Sequence, residues 1–175
     1  NFFFLMEKYK ELSKNDIEVS DFNFLVVTAT DVETSALHDV MSGEVAKTTC
    51  GDHTYYLGRI GHYSIIHVQC SQMGSLNPGG STLTVNTAIN DWPQIKAVVM
   101  VGICFGFDES KQQIGDIVVA TSIKNYETRR VGEEQEIPRG DSYRADSRLL
   151  NAFSSLKQSW NYIGTDDQSK NLVLD

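Results

Sequence analysis

Apolar residues along this chain fall into two patterns, short unbroken runs and helically spaced stripes, and their alternation sketches the architecture. Unbroken runs occupy Phe24–Ala29 (FLVVTA), Ala97–Val101 and Ile114–Ala120. A β-branched run without polar alternation is the signature of a strand buried on both faces. Stripes at three- and four-residue spacing join Val32, Ala36, Leu37, Val40 and Met41, then Leu83, Val85, Ala88 and Ile89, then Leu149, Leu150, Phe153 and Leu156. Each predicts an amphipathic helix. An earlier stripe, Phe2, Phe3, Leu5, Met6, Tyr9 and Leu12, predicts a short helix ending near residues 13–16.

The polar and glycine positions punctuate these elements. Thr30 or Asp31 is placed to cap the first of the three central helices, with Glu33 or Thr34 in its opening turn, and Ser42-Gly43 ends it. Between Cys50 and Gln69, Thr54–Gly58 and Tyr63–Gln69 flank a turn at Gly61-His62, an antiparallel hairpin. Residues 71–81, SQMGSLNPGGS, form a glycine-rich loop that opens the next helix near Ser81, and amides in such a loop favour an anion or a sugar oxygen. The run ending at Val101 meets Gly102-Ile103-Cys104-Phe105-Gly106, where glycines permit a sharp turn or close approach to a ligand. Strand character continues over Thr121–Val131, followed by a charged loop, Gly132–Ala145, and a helix capped by Asp146. Residues 160–164 open another strand, and Leu172-Val173-Leu174 is a last apolar run. The sum is an α/β domain with a mainly parallel central sheet flanked by helices, plus an antiparallel hairpin.

Composition narrows the class. The 175 residues, 41% apolar and 22% charged, suit one soluble domain with a substantial core. A net charge of −8 argues against nucleic acid and anionic membranes as partners, while leaving room for a small phosphorylated ligand. Cys50, Cys70 and Cys104 form no CxxC pair and read as free buried thiols of a cytoplasmic protein. His38, His53, His62 and His67 have no zinc-ligand spacing with them, and no metal or other cofactor is expected. No apolar run approaches the ~20 residues of a membrane span, and the first residues lack the basic region of a signal peptide. Residues 1–20 read as a helix or linker from a larger protein, and 21–175 as the domain.

Four features in order carry a resemblance: TATDVE after the first strand, the loop SQMGSLNPGGS, the strand-to-glycine turn VMVGICFG, and IGDIVVA after a short spacer. Over about residues 22–174 the chain resembles the nucleoside phosphorylase and nucleosidase superfamily, and is most similar to phosphorylase-like modules of multidomain proteins, including bacterial immune effectors. The resemblance implies a phosphorylase/nucleosidase-like fold, a cytoplasmic homo-oligomer joined to other domains, and a nucleoside or nucleotide as its small-molecule partner. It also implies that the C-terminal part is missing, because the family's methionine-glutamate pair and proton-donating aspartate come later than Asp175.

The implied activity is cleavage of the N-glycosidic bond of a purine nucleoside or nucleotide such as ATP. That chemistry needs a ribose held as positive charge develops, a nucleophile at the anomeric carbon, and an acid for the departing base. Glu33 matches the family's water-activating glutamate, with Asp31 as the nearby carboxylate; on its own, without the resemblance, Glu33 reads as an ordinary first-turn residue stabilised by the helix dipole. The matched substrate contacts are Ala29, Asp31, Met73, Gly74 and Gly102. Cys104, Phe105 and Gly106 complete the ribose and base region, and Cys104 reads as a structural thiol rather than a nucleophile. Tyr126 and Arg129 fall near the base and 5′ pockets. Arg129 and Arg130, assisted by Arg59 or Lys124, would grip a 5′-phosphate, unless they are a solvated pair facing Glu133, Glu134 and Glu136. Phosphorylases of this architecture carry an arginine and a serine where this chain has Met100 and Ile103, which favours water over phosphate as nucleophile. A catalytically inactive nucleotide-sensing or oligomerisation module and a phosphorolytic enzyme are the alternatives.

Overall fold

The computed structural model describes residues 9–18, 20–72, 74, 75, 77–106, 108, 110–124, 129–131, 136–138, 142–159 and 172–174. The chain divides into two compact units, Asn1–Ile103 and Cys104–Asp175.

The first unit is built on a six-stranded sheet of β1 (Lys10–Glu11), β2 (Phe24–Thr28), β3 (Ser42–Cys50), β4 (His53–Ile60), β5 (Tyr63–Gln69) and β6 (Ala97–Met100). Their order is β1-β3-β4-β5-β2-β6. β2 runs parallel to both β5 and β6, β1 runs parallel to β3, and β3, β4 and β5 form an antiparallel meander. The mainly parallel sheet with a hairpin is therefore present. Side chains alternate across a strand, and β2 shows what that does here. Leu25 and Val27 join Tyr55, Leu57, Ile66, Val68, Ala88 and Trp92 on the face covered by helix α2 (Ser81–Asp91). Val26 joins Leu37, Met41, Val45 and Ile65 on the other face, under helix α1 (Asp31–Val40). Burying the four largest of these side chains, at ~2 kcal/mol each, anchors both helices to the strand ends.

Three expectations change. Residues 9–12 are not helical: Lys10 and Glu11 pair with Ala46 and Lys47, and Tyr9 packs its ring on His38 and Tyr56. The apolar stripe from Phe2 to Met6 lies outside the described residues. β3 takes up Ser42–Cys50, where the sequence shows only the end of a helix; of its nine residues only Val45 and Thr48 are buried. Finally, β6 is not buried on both faces within its unit, because it is the last strand of the sheet and Met100 is exposed.

The second unit holds β7 (Ile117–Val119), β8 (Ser122–Lys124), β9 (Arg129–Val131), β10 (Glu136–Pro138), β11 (Ser142–Arg144), α3 (Ser147–Ser159) and β12 (Leu172–Leu174). β7 pairs in parallel with β12, and β8–β11 and β9–β10 are antiparallel ribbons. The charged stretch 132–145 thus contains two short strands rather than loop alone. Asp146 caps α3, its Oδ1 accepting from the backbone N–H of Arg148 and Leu149 at 2.9 and 3.2 Å. The strand expected at residues 160–164 lies outside the described residues.

Candidate active site at the carboxyl edge of the sheet

Parallel strands gather helix N-termini at their carboxyl edge. Here β2 ends at Thr28, and Thr30 caps α1 three residues before Glu33, giving a reciprocal capping box. The Thr30 hydroxyl accepts from the Glu33 backbone N–H at 3.3 Å, and Glu33 Oε2 accepts from the N–H groups of Thr30 and Ala29, each at 2.9 Å. The other oxygen, Oε1, accepts from the N–H of Ile103 at 2.7 Å, beyond the end of β6. One carboxylate therefore ties the start of α1 to the glycine turn after β6. Gly102 makes this approach sterically feasible, since a Cβ there would stand 2.7 Å from Glu33 Oε1. Partial burial raises the Glu33 carboxyl pKa, but the hydrogen bonds from Ile103, Ala29 and Thr30 outweigh it and hold the group below the usual carboxylate range.

Among the expected contacts, Ala29 gives its N–H to Glu33 rather than to a ligand, and Gly102 packs against the same carboxylate. Asp31 is exposed at the opening of α1 and accepts from Gln69 Nε2 at 2.8 Å. Gly74, at φ +105°, lies in a loop that closes on itself. The N–H groups of Gly80, Ser81 and Thr82 donate to Asn77, Gly74 and Ser75 carbonyls at 2.7, 3.0 and 3.2 Å. Those three amides are taken up within the loop itself. Cys104, Phe105 and Gly106 open the second unit. Cys104 is exposed there, contrary to the buried thiol expected, because the chain leaves the sheet before reaching it; Phe105 is 90% exposed. Gly106 abuts Gln112, whose Cβ would be 2.6 Å from an added Cβ. Cys70 is buried and Cys50 partly so. Met73 and Tyr126 lie outside the described residues, as do the side chains of Arg129, Arg130, Glu133, Glu134 and Glu136. Lys124 is exposed on β8 and Arg59 on β4.

The sequence reading missed a hydrogen-bonded chain behind the strand ends. Tyr9 Oη meets His38 Nδ1 at 2.7 Å, and His38 Nε2 meets His67 Nδ1 at 2.9 Å. His67 Nε2 meets Thr28 Oγ1 at 2.9 Å, and Thr28 meets Thr34 Oγ1 at 2.7 Å. Thr34 then donates to Gln69 Oε1 at 2.8 Å, and Gln69 holds Asp31. His67 is fully buried, and burial first, then the nearby His38, push its pKa down to about 3. A polar residue at an inward position of β2 or β5, as Thr28 and His67 are, was the available signal. Gln69 also lines a cavity of about 540 Å³ beside Asp52, Tyr56, Ser71, Gln72 and Pro78, within the size range of small-molecule sites. Among the described residues no group of three His, Cys, Asp or Glu could hold a metal ion, and no helix is long and apolar enough to cross a membrane.

The phosphorylase superfamily profile matches residues 23–162 of this chain. The chain belongs to the phosphorylase superfamily. Solved structures share its fold at low identity. The 5′-methylthioadenosine/S-adenosylhomocysteine nucleosidase of Neisseria meningitidis, in complex with methylthio-immucillin-A, is 16% identical with a TM-score of 0.60, over 86% of this chain and 62% of that one. The S-adenosylhomocysteine nucleosidase of Streptococcus pyogenes, in complex with 5-methylthiotubericidin, is 19% identical with a TM-score of 0.64, over 88% and 61%. A futalosine hydrolase mutant of Helicobacter pylori is 14% identical with a TM-score of 0.61, over 88% and 64%. No curated protein matches the chain in sequence. The chain thus spans about three fifths of the length of these superfamily structures, 61–64% in the three named. Within this superfamily member, the two positions read as phosphate contacts in phosphorylases carry no charge: Met100 is exposed, and Ile103 engages Glu33 through its backbone.

Proposed function

We propose that this superfamily member hydrolyses the N-glycosidic bond of a purine nucleoside or nucleotide, ATP included, with Glu33 holding the attacking water. The observation that carries the reading is the suspension of the Glu33 carboxylate from three backbone amides at the carboxyl edge of the sheet. A carboxylate oxygen accepts about two hydrogen bonds. Oε2 has both from Ala29 and Thr30, whereas Oε1 has one from Ile103 and keeps a single direction open for a water.

The lowered pKa keeps the group ionised at neutral pH. Its negative charge then favours the oxocarbenium-like transition state; as the water oxygen bonds to the anomeric carbon its proton passes to Glu33, while the C1′–N bond breaks with its electron pair on the purine, which takes up a proton from solvent. Tight anchoring matters more than basicity in this role, since a misplaced water loses the benefit of orientation. Met100 and Ile103 give a phosphate dianion no countercharge, and burying one unpaired costs several kcal/mol. The solved relatives are nucleosidases and futalosine hydrolase, two of them crystallised with nucleoside analogues or titled by such substrates, which fits a nucleoside ligand.

The test incubates the full-length protein with ATP, AMP, adenosine and methylthioadenosine and follows free adenine by chromatography. Release of adenine with free ribose or its 5′-substituted form is expected. No base from any of the four, with ligand still raising the melting temperature, would instead identify a silent sensing module. Ribose 1-phosphate formed on adding phosphate would identify a phosphorylase.

A further inference from the structure

The chain from His38 to Asp31 can be read proton by proton, starting from its acceptor end. The Asp31 carboxylate only accepts, so the Gln69 contact at 2.8 Å must be made by the amide NH2. Gln69 Oε1 then faces Thr34 and takes the Thr34 hydroxyl proton. With that proton committed, Thr34 Oγ1 accepts from the Thr28 hydroxyl, and Thr28 in turn accepts from His67 Nε2–H. A neutral His67 has its Nδ1 placed to accept from His38 Nε2–H, and His38 Nδ1 meets the Tyr9 hydroxyl. Both imidazoles carry a proton on Nε2, and from His38 Nε2–H onward every donor points toward Asp31.

We infer that this one-way chain is a positioning device: the buried His38–His67 pair, through Thr28 and Thr34, fixes the Gln69 amide and thereby the Asp31 carboxylate as a preset acceptor for a hydroxyl or amino donor of the ligand. The inference rests on the substrate site proposed above for the carboxyl edge of β2 and β5. Two observations support it. Gln69 stands both in the chain and in the wall of the 540 Å³ cavity. Asp31 is exposed, and its hydrogen bond to Gln69 is made through Oδ1. Without Thr34 as donor the Gln69 amide is held at one end only, by Asp31, and can swing on its own torsions, so the carboxylate loses its fixed direction. Thr28, Thr34, His38 and His67 touch no ligand in this scheme.

The test uses the full-length protein in three forms, wild type, Thr34→Val and Thr34→Ser. Long-range 1H–15N spectra at neutral pH are expected to show both imidazoles protonated at Nε2, and the Gln69 side-chain amide as a dispersed, slowly exchanging pair. In Thr34→Val, which removes the donor to Gln69 Oε1, that pair is expected to collapse toward the shift of a free amide, with KM for the released-base assay up about five- to tenfold and kcat within about twofold, the pattern of lost ground-state binding. Thr34→Ser keeps the hydroxyl and restores all of these. If Thr34→Val does not fold, Thr34→Ala removes the same hydroxyl with a smaller side chain and is read identically. A proton on His67 Nδ1, or a Gln69 amide unmoved in the valine variant, overturns the inference. If the wild type releases no base, the nucleosidase reading falls, and the imidazole and Gln69 signals still decide the network by themselves.

Discussion

Glu33→Gln is the natural probe of the proposed water-holding role, and the hydrogen bonds of this carboxylate mean that the substitution perturbs more than the chemistry. All three backbone partners of the side chain are donors. A glutamine can turn its oxygen to Ala29 and Thr30 or to Ile103, never to both sides, and its NH2 then opposes an N–H. Keeping the pair at Ala29 and Thr30 converts two charge-assisted bonds to neutral ones, about 0.5–1 kcal/mol each, and loses the third, about 1 kcal/mol after water reaches the half-exposed turn. The expected loss is about 2–3 kcal/mol, or a melting temperature lower by roughly 5–10 °C in a chain of this length. Because the folded-state pKa of Glu33 lies below its ordinary value of 4.5, this contribution is complete above pH 4.5 and fades as the pH falls through the lower folded value. The gap between wild type and variant should therefore be constant at neutral pH and close in acid. Thermal melts across pH, with hydrogen exchange at the Ile103 amide, measure both. Equal melting temperatures and an Ile103 amide as protected as in wild type would refute the anchoring. Loss of turnover in this variant reports on a base only if that amide stays protected.

Two further outcomes follow from the same geometry. The folded pKa of His67, about 3 against an ordinary 6.5, means that below pH 6.5 the unfolded chain binds a proton the folded one refuses. Stability is therefore full above pH 6.5 and falls by about 1.4 kcal/mol per pH unit below it, toward pH 3; urea unfolding should show this slope, and His67→Gln should flatten it by one proton, while equal slopes in the two proteins would contradict the buried neutral imidazole. Gly102→Ala places a methyl 2.7 Å from Glu33 Oε1, so the carboxylate must leave Ile103, with stability down by about 1–2 kcal/mol and base release down at least about tenfold; unchanged turnover would show that the carboxylate does not work from this position.

What could be read from the sequence was local. Thr30 and Glu33 are three residues apart, so the capping box and the start of α1 are visible in TATDVE, and the β-branched runs announce β2 and β6. What could not be read depended on distant partners. The apolar stripe through Tyr9 and Leu12 fits a helix, yet Lys10 and Glu11 find backbone partners on β3 and the chain extends. β3 is mostly exposed, so no hydrophobic period marks it. His38 and His67 are 29 residues apart and meet only because α1 lies over β5. Nor can sequence show that carbonyls of the glycine loop take up the N–H groups of Gly80, Ser81 and Thr82.

The bond between Glu33 and Ile103 spans 70 residues, and this separation orders events on the ribosome. The capping box needs only the residues around the start of α1, so the carboxylate can be set there while β6 is still unsynthesised. The glycine turn then arrives later and docks on an anion already fixed in place. At synthesis rates of about 5–20 residues per second, the helix start stands without its third partner for several seconds, and the three-amide suspension comes into existence only when β6 has emerged.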